Sequence, residues 1–262
     1  MTAETRTGVL ICGHGSRDSD TVCEFMALVR DVAVRLPQFR VESGFLEFAA
    51  PSIRDGLEEL RQAGCANILV IPGTLFSAGH ARQDIPSILK KFAAQFPELK
   101  ISYGRAFDVD PYFVRAASAR IFDAVNGAGG SSAPEHTALL VVGRGASDPE
   151  ALARMQAVAR LIQTEVKFSC VETAYAGIAL PSVSGMLEHI AGLSYSRLVI
   201  LPYFLFTGML VKRLYDEIDL VAARYPATQF VKSAYLNNHP WVIDGFAGRI
   251  IETDATGIRM HG

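Results

Sequence analysis

The chain has 262 residues, half of them hydrophobic, and a formal net charge of −2. That length serves one large or two small domains with proper cores, and the near-neutral balance argues against a nucleic-acid partner or a basic membrane-binding face. No apolar run approaches the roughly 18 residues that span a bilayer, and the short polar stretch 1–7 lacks a signal-peptide core.

The elements follow in order. Residues 7–12 form an apolar run followed by Gly13, as a buried parallel strand does. Residues 18–36 place Val22, Phe25, Met26, Val29, Ala33 and Leu36 at helical spacing. A second strand is expected over 40–47. Pro51 then opens a helix, where its missing N–H costs nothing. Residues 68–71 read as the third strand, closed by Pro72 and Gly73, and a helix over 82–96, a strand over 99–103 and a helix over 111–125 complete the first half. The stretch 126–136 begins NGAGGSSAPE and has the composition of a linker. Strands near 138–142, 168–175, 197–201 and 229–233 repeat the plan, so a first lobe over 1–125, a second over 137–252 and a loose tail over 253–262 are expected. Alternating strands and helices imply parallel sheets with right-handed crossovers. The expected fold is therefore α/β, with two similar flavodoxin-like lobes, each with a parallel four-stranded sheet, facing each other across a cleft.

The two halves are copies at an almost constant offset of 130 residues. Gly13-His14-Gly15 aligns with Gly143-Arg144-Gly145, Pro51-Ser52 with Pro181-Ser182, Pro72 with Pro202, and Leu75-Phe76 with Leu205-Phe206. Against this agreement, His14 becomes Arg144, Glu47 becomes Gly177 and His80 becomes Leu210. Two imidazoles and a carboxylate lost together point to one site, present only in the first copy, and these side chains bind divalent transition metals. All three follow strands of one sheet, and open α/β sheets bind ligands beyond the carboxyl ends of their strands. Gly13, Gly15 and Gly79 permit close backbone approach. Ser16, Arg17 and Asp18 open a helix whose N-terminus favours an anion. His136, His189, His239 and His261 read as ordinary, and Trp241 as packing. Cys12, Cys23, Cys65 and Cys170 are too scattered for a disulfide framework or a cysteine metal cluster, so a reducing cytoplasm is expected.

At these residues the chain resembles the class II tetrapyrrole chelatases, most closely the sirohydrochlorin chelatases that insert cobalt or ferrous iron. The matching pieces are HGSR at 14–17, FLE with its following proline at 45–51, and P…LF..GH..QDIP at 72–86. The resemblance implies that His14, Glu47 and His80 bind the incoming metal and accept protons, as lyase chemistry in cobalamin or siroheme biosynthesis. It implies a divalent metal, Co2+ or Fe2+, as substrate, a small-molecule tetrapyrrole as partner and no further cofactor. A flat, many-acid macrocycle calls for apolar walls and positive rims. Ser16, Arg17, Phe76 and Arg144 are the candidates to hold it, with Leu75, Leu205, Phe206 and Met209 as further lining. A monomer would suffice, and oligomeric state stays open. Two rival readings remain: a non-enzymatic metal or tetrapyrrole carrier, and a histidine-nucleophile phosphohydrolase, which would place an arginine directly before its histidine where Gly13 stands.

Overall fold

A computed structural model describes residues 6–76, 81–129 and 133–256. Eight strands among the described residues form two parallel sheets, ordered β2-β1-β3-β4 and β6-β5-β7-β8. The first sheet comprises β1 (Gly8–Gly13), β2 (Arg40–Phe45), β3 (Asn67–Pro72) and β4 (Lys100–Tyr103). The second comprises β5 (Thr137–Gly143), β6 (Cys170–Tyr175), β7 (Arg197–Pro202) and β8 (Gln229–Lys232). Both have the flavodoxin-like order, in which the chain leaves β1 in one direction and returns on its other side as β3. The expected pair of four-stranded parallel sheets is what the chain forms.

Each sheet grows from a central apolar strand. All six residues of β1 are buried, and Leu10 and Cys12 pack with Ile53, Leu57 and Leu60 of α2 (Ile53–Gln62) and with Ile85, Leu89 and Phe92 of α3 (Ala81–Gln95). α1 (Ser19–Arg35) buries Phe25, Leu28, Val29 and Val32, a stripe at helical spacing. Polar side chains fix the helix starts. The Asp18 carboxylate accepts the Asp20 N–H, and Ser52 and Asp55 form a reciprocal capping box on α2. In the second sheet Leu140 and Val142 pack with Val183, Leu187 and Ile190 of α6 (Val183–Ala191) and with Leu214, Ile218 and Val221 of α7 (Met209–Ala222). α5 (Pro149–Val166) takes the role of α1, capped by Asp148.

The compact units are cut differently from the repeats. One unit is Met1–Asp108 with Val242–Gly262; the other is Val109–Trp241. α4 (Pro111–Gly127) follows the first sheet in sequence but packs on α5, β7 and β8. α8 (Pro240–Thr256) ends the second repeat, yet its length from Val242 belongs to the first unit. There the Phe246 ring lies 4.6 Å from that of Phe107, and Arg249, nearly fully buried, lies 5.2 Å over Phe107. The Arg105 guanidinium donates to both Glu252 oxygens, at 2.8 and 3.1 Å, and Arg35 donates to Asp244 at 2.9 Å. The expected tail from 253 is helical to Thr256, and buried Thr253 donates its hydroxyl to the Arg249 carbonyl at 2.7 Å. The expected linker also carries structure. α4 runs to Gly127, Gly129 accepts a hydrogen bond from buried Arg197, and Pro134–His136 forms a 3-10 turn before β5.

Phe246→Ala removes a fully buried ring from the first unit. The expected loss is about 3–5 kcal/mol, with hydrogen-exchange protection falling in β4 while that of β8 is retained. Loss in β8 alone would place α8 on the other sheet.

Candidate active site

Where the first sheet ends, its central strand keeps accepting hydrogen bonds. β1 and β2 are in register to Gly13 opposite Phe45, and β1 and β3 to Cys12 opposite Pro72. Three consecutive carbonyls then take loop amides: Gly73 donates to Cys12 at 2.7 Å, Leu46 to Gly13 at 3.0 Å and Glu47 to His14 at 3.0 Å. His14 therefore stands directly after β1. Glu47 lies two residues beyond the end of β2, not within the strand as expected from the sequence, and its backbone is fastened to that of His14. Gly15 makes this approach possible. Its φ is +92°, and a Cβ there would lie 1.7 Å from the Glu47 carbonyl oxygen.

The two side chains meet. His14 Nδ1 lies 3.5 Å from Glu47 Oε1, with the side chains 43% and 46% exposed. A good N–H···O hydrogen bond would be about 2.7–3.2 Å. Two ligands bonded at about 2.0–2.2 Å to one tetrahedral metal hold their donor atoms roughly 3.4 Å apart. The pair thus has the spacing of neighbours around a single ion, with solvent still able to reach it. His80, the third expected ligand, lies outside the described residues, and among those residues no three His, Cys, Asp or Glu side chains gather. The loop after β3 nevertheless leaves the sheet at the same edge, since Gly73 is bonded to Cys12. Cys12 itself is fully buried, and burial pushes its thiol far above the ordinary value, which leaves imidazole and carboxylate as the donors here.

Around the pair, the Ser16 hydroxyl accepts the Asp18 N–H at 3.0 Å and keeps its proton to donate, and Phe76 is half-buried. The Arg17 guanidinium lies 5.1 Å over the ring of Phe48, and among the described residues no carboxylate pairs with it. Sequence reading missed Phe48. Its ring also stacks on the His14 imidazole, with centroids 6.4 Å apart and planes at 19°. Its backbone is left-handed, φ 62°, inside a three-residue turn closed by the Ala49 N–H on the Glu47 carbonyl at 2.9 Å. A side chain held in such a conformation costs about 1–3 kcal/mol. The one signal available in sequence is the aromatic directly after Glu47, and nothing in a pattern of residue types reveals its φ.

The second sheet repeats the scaffold with Arg144 and Gly177 in place of His14 and Glu47. Tyr203 donates to Val142 at 2.8 Å, Ala176 to Gly143 at 2.9 Å and Gly177 to Arg144 at 2.9 Å. Arg144 is exposed, and among the described residues no carboxylate pairs with it. Leu210 is half-buried in α7, and Met209 is 59% exposed. Leu205 is buried. Trp241 packs on Tyr112 with centroids 6.2 Å apart, and His239 accepts the Trp241 N–H.

Fold and site together define a duplicated, doubly wound α/β protein with an open imidazole–carboxylate pair at the carboxyl edge of one sheet. The family model CbiX matches residues 8–124 and again 138–253, and the chain belongs to the CbiX family. It is 31% identical over 236 residues to the sirohydrochlorin cobaltochelatase of Priestia megaterium, covering 88% of this chain and 75% of that protein. It is 30% identical over 251 residues to the sirohydrochlorin ferrochelatase of Bacillus subtilis (strain 168), covering 95% and 93%. The solved structure of SirB from Bacillus subtilis with Fe3+ superposes with a TM-score of 0.86 at 28% identity, covering 98% of this chain and all of that one.

Gly15 and Gly64 separate strain from contact. Both have positive φ, but a Cβ at Gly64 meets nothing within 4 Å. Gly64→Ala should cost about 1–2 kcal/mol from its left-handed backbone alone. Gly15→Ala should cost clearly more in denaturant unfolding, because the Glu47 carbonyl must move. Equal losses would mean that the Glu47 loop yields freely.

Proposed function

We propose that this chain inserts a divalent metal, cobalt or ferrous iron, into sirohydrochlorin, and that His14, Glu47 and His80 take up the metal and accept the protons it displaces. The carrying observation is the metal-ligand spacing of His14 and Glu47, in a chain whose full-length relatives are sirohydrochlorin cobaltochelatase and ferrochelatase. Insertion exchanges one divalent ion for two inner N–H protons of the macrocycle. The site must therefore hold metal without enclosing it and offer bases that work near neutral pH. Imidazole and carboxylate do both, and the half-exposed pair leaves coordination positions for water and then for ring nitrogens. These ligands accept cobalt and ferrous iron alike.

The macrocycle is flat and carries several acid groups. Arg17, with no carboxylate of its own among the described residues, is a charged hydrogen-bond donor beside the metal pair. Ser16 supplies a hydroxyl and Phe76 apolar surface. Arg144 occupies the position of His14 in the second unit and stays protonated. It cannot serve as a metal ligand and suits a carboxylate.

Anaerobic incubation of the protein with sirohydrochlorin and Co2+ or Fe2+, followed by absorbance, should show repeated turnover. A single stoichiometric uptake without turnover would favour a carrier. His14→Ala and His80→Ala should each abolish insertion while the circular dichroism spectrum stays unchanged, and near-normal turnover by either would remove that residue from the site. Glu47→Gln keeps the shape but loses the negative charge and the base. It should slow insertion strongly while macrocycle binding persists.

Arg144→Ala should weaken macrocycle binding by about 1.5–3 kcal/mol, the range for hydrogen bonds to charged groups. Separate titrations with metal and with macrocycle check this: metal affinity should not move, and a variant that lost metal alone would contradict the assignment.

A further inference from the structure

Phe48 touches both kinds of machinery at this edge. Its ring stacks on the His14 imidazole and lies beneath the Arg17 guanidinium. It is 54% exposed, a large apolar group kept in solvent rather than folded into the core. The turn from Glu47 to Ala49 directs residue 48 outward beside His14, and the same turn ties the Glu47 carbonyl. The second copy isolates the feature. Its corresponding residue, Ile178, has no positive φ, no matching bond joins Ala179 to Gly177, and the positions that align with His14 and Arg17 are Arg144 and Ser147. The aromatic, the left-handed turn and the ligands therefore occur together in one copy and are absent together from the other.

We propose that Phe48 is a positioning residue of the metal-uptake site: its ring fixes the orientation of the His14 imidazole relative to Glu47 and holds the Arg17 guanidinium beside them. An exposed histidine otherwise samples several rotamers, and only some present Nδ1 to an ion shared with Glu47. A nearly parallel ring against the imidazole narrows that choice, and a cation over the same ring is drawn to its face. This assignment rests on the reading of His14 and Glu47 as metal ligands.

The test compares Phe48→Gly, which removes the ring and suits a left-handed backbone, with Phe48→Tyr, which keeps the ring. Direct titration with Co2+ in the absence of macrocycle should show at least tenfold weaker binding by Phe48→Gly and binding within about threefold of wild type by Phe48→Tyr. The glycine variant should melt no lower than wild type, because its backbone strain is relieved. In the insertion assay the KM for Co2+ should rise at least tenfold, with kcat at saturating metal changed far less, and the tyrosine variant should restore the wild-type KM. Co2+ binding by Phe48→Gly equal to wild type overturns the proposal, as does a tyrosine variant as impaired as the glycine one. The failures are distinguishable: if wild type binds Co2+ but never inserts it, the proposed reaction falls while the Phe48 comparison still stands on binding alone.

Discussion

Three consecutive carbonyls of the central strand carry the first site. By accepting amides from Gly73, Leu46 and Glu47, residues 12, 13 and 14 extend the ladder of β1 past its last paired residue and fasten the loops that follow β2 and β3 to one edge. A buried polar backbone has to find partners, and the first residues of these loops find them on the strand. A pair of ligands on two different loops can hold a spacing within a few tenths of an ångström only if those loops are tied to a common element. Gly15 is the geometric condition for that tie, because any side chain there would collide with the Glu47 carbonyl.

The same three bonds recur in the second sheet with different side chains. This explains how the second copy can differ at residues 14 and 47 without losing the fold. Residues 14 and 47 are exposed and contribute little to packing, so replacement by Arg144 and Gly177 leaves the core intact. The backbone conditions stay. Gly145 keeps a positive φ of 80°, and Asp108 and Asn237 share a left-handed conformation after the last strand of each sheet. Scaffold and chemistry are separable here because one is written in backbone bonds and buried apolar residues and the other in exposed side chains.

Much of this could be read from residue types. Runs such as Ile68–Ile71 announce buried parallel strands because both of their faces need cover, and the constant offset between the halves exposes the duplication. The joint loss of His14, Glu47 and His80 pointed to an edge at which the structure does bring His14 and Glu47 together; His80 lies outside the described residues. The placement of α4 and α8 was not legible. Periodicity says that a helix has an apolar face, not which sheet that face covers, and the two sheets are near-copies that offer similar surfaces. Long-range pairs decide it, with Phe107 meeting Phe246 and Arg105 meeting Glu252 across about 140 residues of sequence. Phe48 escaped for a different reason: its role depends on the sign of a dihedral angle, and residue type gives no hint of a left-handed phenylalanine.

On the proposed reading of His14 and Glu47, an uptake site for an ion that must leave again cannot be rigidified by burial. Enclosing His14 and Glu47 would strip solvent from the ion and slow its exchange, yet leaving both side chains exposed gives them rotamer freedom that blurs the ligand spacing. Order has to come from elements that do not close the site. The backbone bond between Glu47 and His14 supplies part of it, and a ring against one face of the imidazole supplies more while leaving the nitrogens in solvent. The left-handed turn leaves that ring 54% exposed beside His14, whereas Ile178, without a positive φ, is 90% exposed. The left-handed turn at Phe48 is therefore found where the proposed site has to be both ordered and open, and it is missing from the copy that has Arg144 and Gly177 instead.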